Sequence, residues 1–271
     1  MGKRLKILTT FLLLVVIAAL LSWHSLQHMN SVYKPIKVGV SAGPQSEIMS
    51  LVKTLVAKDG LDVQIIEFTD YSKLNDSLYH GKIRMNSFQH QPYLTSIQED
   101  YNHELTAIAK TILSPMGIYS KRIKNLSDVP SGGKVAIPKD LTNGSRALLL
   151  LEKTGLITCR NIESYTRTVN DIVDNPLHLT FLEIDSAQMS TVINSVDLAL
   201  INVNYVTMAN LIPVKDALAL EDNNSPYVML LVARTRDTYD KDLEKIIKAY
   251  HSEEVKNFVK ERYQGTLIPA W

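Results

Sequence analysis

Two side chains have chemistry that could hold a small polar ligand. Arg146 follows Thr142-Asn143-Gly144, in the first turn of a Leu-rich helical segment expected over 143–154. A carboxylate bound there would meet a bidentate guanidinium and the free amides of a helix start. The competing reading is a solvated arginine on a helix face. Asn202 closes the apolar strand Leu198 to Ile201. A strand-end amide at a cleft offers both a donor and an acceptor, although asparagine there would also cap a helix opening at Val203. Reactive chemistry is sparse by comparison. There is no Gly-rich phosphate loop and no His-Glu-x-x-His motif, and no acidic pair stands out as an acid–base couple. The single Cys159 excludes an internal disulfide and any multi-cysteine metal site; it reads as an unpaired thiol of no function. No cofactor, metal or catalytic residue is expected.

Such groups need a cleft, and the elements supply one. Ile36 to Val40 alternates as a strand and ends at the turn cluster Ser41-Ala42-Gly43-Pro44. Ile48, Leu51, Val52, Leu55 and Val56 then form one apolar helical stripe, stopped at Gly60. Leu61 to Phe68 reads as a second strand, so the chain opens with a parallel strand–helix–strand unit. Further alternation follows: helix 70–80, strand 83–86, helix 92–101, strands 106–112 and 116–119. After strand 134–137 and the Leu-rich helix come strand 179–183, helix 187–194, strand 198–201 and strand 227–233. Helices over 240–251 and 254–263 close the chain. This order predicts α/β architecture. Ser114-Pro115 and Ser225-Pro226 are the expected crossings between two lobes. They divide the chain into lobe 1, residues 35–114 and 227–271, and lobe 2, residues 115–226. Two α/β lobes place a ligand cleft at strand carboxyl ends, between domains.

The 271 residues carry 29 Lys plus Arg against 28 Asp plus Glu, 45% hydrophobic. That composition excludes intrinsic disorder and gives no general reason to bind nucleic acid. The charge is uneven: Lys3, Arg4 and Lys6 precede any acidic residue, and an unbroken apolar run spans Phe11 to Leu21. This predicts an export signal or membrane anchor over residues 1–34, including a spacer from His24 to Lys34. No cysteine follows the run to carry a lipid, and an uncleaved anchor is the preferred reading.

Asn86-Ser87-Phe88-Gln89-His90-Gln91-Pro92-Tyr93-Leu94 resembles the hallmark segment of the NlpA family, the methionine-binding lipoproteins of bacterial ABC importers. Val38-Gly39-Val40, Thr142 to Leu151, Asn175-Pro176 and Ser225-Pro226-Tyr227-Val228 agree with it in order and spacing, from about residue 36 to Trp271. The resemblance implies a type II-like periplasmic-binding-protein fold with two lobes and two interlobe crossings. It also implies an aromatic cage for a methionine side chain at Tyr71, Phe88, His90 and Tyr93. Arg146 would hold the ligand carboxylate, and Asn202 would also face the ligand. A thioether gains roughly 0.3–1.5 kcal/mol per aromatic contact; the ordinary alternative for Phe88 and Tyr93 is core packing. The sequence departs from the family at Met229, where an Asn that helps hold the ligand amino group is expected.

The function implied is that of an exported, membrane-associated substrate-binding protein on the periplasmic side. It would deliver methionine or a related derivative to an ABC permease and ATPase, without catalysis. Two alternatives use the same fold. One is a surface interaction protein that has lost its ligand, to which Met229 and the missing lipid cysteine point; the other, weaker, is an enzyme.

Overall fold

A computed structural model describes residues 35–162 and 165–271, and Gly2, Val15, Val16, Ile17 and Ala19 from the N-terminal segment. The expected export signal and spacer otherwise lie outside the described residues. Among the described residues, no helix is long and apolar enough to cross a membrane. Residues 36–271 form one compact unit.

That unit holds two main sheets. The first has six strands: β1 (Ile36–Ser41), β2 (Val63–Phe68), β3 (Met85–His90), β4 (Leu105–Leu113), β12 (Val228–Arg234) and β13 (Ile268–Pro269), in the order β13-β4-β12-β3-β1-β2. β1 lies parallel to β2 and β3; β12 runs antiparallel to both β3 and β4. The second sheet has the order β11-β5-β10-β6-β9. It is built from β5 (Met116–Tyr119), β6 (Lys134–Pro138), β9 (Thr180–Ile184), β10 (Leu198–Asn202) and β11 (Ala217–Leu220), with β6 parallel to β9 and β10. A small ribbon pairs β7 (Thr158–Cys159) with β8 (Ile172–Asp174). The chain passes between the main sheets at β4–β5 and returns at β11–β12.

Both sheets are covered on both faces, as parallel strands require. In β12, Met229, Leu231 and Ala233 face one core while Leu230 and Val232 face the other, the period-2 alternation of a strand buried on both sides. The first core is closed by helices α1 (Pro44–Ala57), α5 (Lys241–Tyr250) and α6 (Glu253–Tyr263); the second by α2 (Ser72–Tyr79). α3 (Gln91–Ser96) follows β3, and α4 (Leu141–Lys153) packs on the second sheet through Ala147, Leu148, Leu150 and Leu151.

Three of the differences from the periodicity bear on the seam between the sheets. Pro44 begins α1 rather than ending a turn, because a residue without an N–H fits the first helical position. β3 runs to His90 instead of stopping near Asn86, and every residue of it is buried. Its polar side chains hid it. They are buried because Asn75, Asn86 and Gln89 bond one another at 2.7–3.1 Å. The Leu-rich helix starts two residues before its expected start, since Asp140 is its N-cap and accepts the Asn143 amide at 3.0 Å. Arg146 is therefore in the second turn, and one helix-start amide, that of Asn143, is already engaged by a carboxylate.

Gly144 lies inside α4, where alanine is ordinarily favoured by about 1 kcal/mol. A Cβ at this position would sit 2.9 Å from the Pro138 carbonyl oxygen, at the end of β6. Gly144→Ala is expected to lower the melting temperature; a stabilised variant, read by thermal denaturation, would refute close helix–strand contact as the reason for this glycine.

Candidate functional site

The carboxyl ends of the parallel strands of the two sheets meet. From the first sheet come Ser41 at the end of β1, Tyr71 after β2, and Phe88, Gln89 and His90 at the end of β3. From the second come Asp140 and Asn143 after β6, Ser186 after β9, and Asn202 and Asn204 at and beyond the end of β10. Side chains join across the seam. The Tyr71 hydroxyl donates to the Asp140 carboxylate and receives a bond from Ser186 Oγ at 2.8 Å. Asn204 Nδ2 donates to Ser41 Oγ at 2.9 Å. His90 Nε2 lies 3.2 Å from Asn143 Oδ1.

Within the seam is a narrow cavity lined by Tyr71, Phe88, Gln89, His90, Tyr93, Asn143, Asn202, Asn204 and Met229. Six of the seven residues singled out from the sequence thus line one cavity. The rings form a continuous wall: Tyr71 stacks on Phe88 at 6.0 Å, Tyr93 meets both edge-on at 5.6 and 5.8 Å, and Tyr205 closes on Tyr71 at 5.9 Å. Burial, reinforced by Asp140, holds the Tyr71 hydroxyl in its neutral form well beyond the usual tyrosine range, and burial first does the same at Tyr93. These rings stay uncharged donors and soft apolar surface.

His90 is fixed in one tautomer. Its Nδ1 accepts the Tyr93 amide at 3.2 Å, so Nε2 carries the proton and donates to Asn143. Burial, with the Arg146 charge second, pushes its pKa down to about 3. The imidazole is therefore a neutral donor across the seam. Asn143 Oδ1 also accepts Asn202 Nδ2 at 2.9 Å, while Asn202 Oδ1 has no protein partner. Asn202 thus keeps an open acceptor in the cavity lining rather than serving only as a cap.

Arg146 is the exception. It is fully buried, not a solvated residue on a helix face, and it is absent from the cavity lining. Its Nε donates to Glu221 Oε1 at 2.7 Å, and its Nη2 to Glu221 Oε2 and to the Ser114 carbonyl at 2.8 Å. The Tyr227 ring covers it, 4.3 Å from Cζ. Nη1 has no hydrogen-bond partner among the described residues. The guanidinium charge is met by Glu221, which motif reading does not single out.

Sequence reasoning also missed Gln89 and Asn143, which stand inside the family-like segments, and Asn204 and Tyr205, whose signal is only their position just beyond the end of β10. The expectation that the chain has no Gly-x-Ser-x-Gly elbow is corrected: Gly39-Val40-Ser41-Ala42-Gly43 has that spacing and turns from β1 into α1. Ser41 there receives the Asn204 amide, and the cavity imidazole is committed to Asn143 and Tyr93. Among the described residues, no group of three or more His, Cys, Asp or Glu side chains could hold a metal.

Two outcomes follow from these environments. Since the unfolded His90 binds a proton near pH 6.5 and the folded one near 3, the unfolded chain holds more protons between those values. Stability contributed by neutral His90 is complete above about pH 6.5 and falls as the pH drops, with a slope approaching 1.4 kcal/mol per pH unit. His90→Gln should flatten that slope in urea titrations run from pH 6.5 to 4; an unchanged slope counts against a buried neutral imidazole. Arg146→Ala leaves Glu221 buried and unpaired, and should cost about 3–5 kcal/mol of folding stability. A loss under 1 kcal/mol by equilibrium unfolding would mean that the pair is open to solvent.

The family model for NlpA lipoprotein matches residues 36–271. The chain is 38% identical over 240 residues to the D-methionine-binding lipoprotein MetQ of Escherichia coli K12, covering 87% of this chain and 88% of that one. It is 36% identical over 243 residues to outer membrane lipoprotein 3 of Mannheimia haemolytica, covering 89% and 92%. Among solved structures, a nutrient-binding protein of Burkholderia cenocepacia bound to methionine superposes with a TM-score of 0.84 at 43% identity, covering 87% of this chain and all of that one. On the family match and these identities over most of its length, the chain belongs to the NlpA lipoprotein family.

Proposed function

We propose that this chain is the extracytoplasmic substrate-binding protein of an ABC importer and takes methionine, or a small derivative of it, into the cavity between its two sheets. The observation that carries this reading is the aromatic wall of Tyr71, Phe88 and Tyr93 set beside the neutral donors and open acceptor of His90, Asn143 and Asn202. A thioether is polarizable and suits the edges and faces of such rings. The amides suit an amino-acid backbone. Relatives and structural neighbours bearing methionine in their names support the same ligand class.

Tyr71, Phe88, His90 and Tyr93 would hold the side chain, Asn202 would face the backbone of the ligand, and Met229 would stand beside the ligand amino group as a weak acceptor. Arg146 would reach a carboxylate only through Nη1, the nitrogen Glu221 and Ser114 leave open. Lobe 1 would comprise residues 35–114 and 227–271 and lobe 2 residues 115–226, supported by the strand membership of the two sheets. The lobes would close on the ligand because it binds the closed arrangement better. Association with the membrane through residues 1–34, and delivery to a permease and ATPase, complete the reading. The basic start and apolar run support the first, and family membership the second.

Calorimetric titration with free methionine and N-acetylmethionine tests it. Methionine sulfur at position 229 is a poor acceptor for an ammonium group, a deficit of about 1–3 kcal/mol or roughly 5-fold to over 100-fold in affinity. Met229→Asn should therefore tighten free methionine selectively. No heat with either compound would refute the ligand class, and an unchanged methionine affinity in Met229→Asn would make position 229 plain wall.

A further inference from the structure

Both passages of the chain between the two sheets converge on one ion pair. The first runs from Leu113 at the end of β4 to Met116 at the start of β5, and the second from Leu220 at the end of β11 to Val228 at the start of β12. Arg146 donates to the Ser114 carbonyl in the first passage and, through two nitrogens, to Glu221 in the second. Glu221 in turn accepts the Met116 amide at 2.9 Å, while its own amide donates to the Met116 carbonyl at 3.0 Å. The Arg146 side chain is fully buried and that of Glu221 only 10% exposed. Tyr227, at the far end of the second passage, lies over the guanidinium and meets His90 edge-on at 4.9 Å.

We propose that Glu221 is a positioning residue: with Arg146 it forms a clasp that holds the two interlobe passages in one arrangement and so sets how readily the lobes close. The geometry favours a clasp over a simple surface pair. A buried guanidinium with a bidentate partner tolerates only a narrow range of arrangements, because displacement strands both charges away from water. Two neighbouring passages tied to one point must move together. The contact of Tyr227 with His90 joins the clasp to the cavity lining. Substitutions at Glu221, which is outside that lining, would therefore alter ligand affinity through closure.

The clasp rests on the ligand reading only for its affinity consequence, and a ligand-free measurement separates the two. Spin labels at Val173→Cys and Tyr239→Cys, both exposed side chains and one on each side of the passages, in a Cys159→Ser background of the full chain, report the distance between lobes by pulsed electron spin resonance. Glu221→Gln should broaden that distance distribution in the absence of ligand, at an unchanged folded fraction by circular dichroism. A loss of global stability alone does not move distances within the folded population. An unchanged distribution overturns the clasp. If Glu221→Gln does not fold, the double variant Arg146→Met/Glu221→Met leaves no uncompensated charge; it should fold and show the same broadening, and a distribution matching the parent overturns the proposal. A folded variant that populates the closed arrangement one-tenth as often should bind free methionine about tenfold more weakly. If the parent binds no methionine while the distributions still broaden, the ligand reading fails and the clasp stands.

Discussion

Polar groups at the ends of two parallel sheets have to be buried against each other here, and each needs a hydrogen-bond partner once water is gone. An unsatisfied buried donor or acceptor costs about 1–3 kcal/mol, so a handful would consume much of the stability of a domain. β3 shows how the requirement is met. Asn86, Ser87, Gln89 and His90 are all buried in it, and the amide triangle of Asn75, Asn86 and Gln89 satisfies the two amides among them. His90, at the end, reaches across to the second sheet. The seam is therefore held by the protein's own polar groups, with few buried acceptors such as Asn202 Oδ1 left open among the described residues.

Charge is managed by the same constraint. No side chain lining the cavity carries a formal charge: it is composed of rings, amides, a thioether and an imidazole kept neutral by burial. The nearby cation, Arg146, is matched by Glu221 before its field reaches the lining unopposed. Asp140 is spent on the helix start of α4, on the Asn143 side chain and on the Tyr71 hydroxyl. A site of this kind selects by shape, polarizability and hydrogen-bond pattern more than by net charge. It suits a ligand that is compact and largely apolar at one end.

Bonds across the seam are few and directional: Tyr71 with Asp140 and Ser186, His90 with Asn143, Asn204 with Ser41. The hydrophobic clusters belong mainly to one sheet or the other, although the Tyr71 ring also packs on the cluster around Tyr205. The seam is thus largely polar, whereas the fold of each half rests on apolar burial. Family membership and the arrangement of these groups agree on a protein that encloses a small molecule.

The alternation of strand and helix, the two crossings, the family and six of the nine residues that line the cavity were legible in the sequence, because period-2 and period-3.6 patterns and a specific local motif are local properties of the chain. What failed was long-range. β3 looked too polar to be a buried strand, since the partners that satisfy it come from α2. The start of α4 was misplaced because its cap is an aspartate whose carboxylate also serves Tyr71, 69 residues away. Arg146 was read as a free clamp or a solvated cation. Only the tertiary structure brings Glu221, 75 residues on, into bidentate contact with it, for ion pairing between distant segments leaves no periodic trace. The sequence by itself determined which residues could touch a ligand; packing decided which of them remain free to do so.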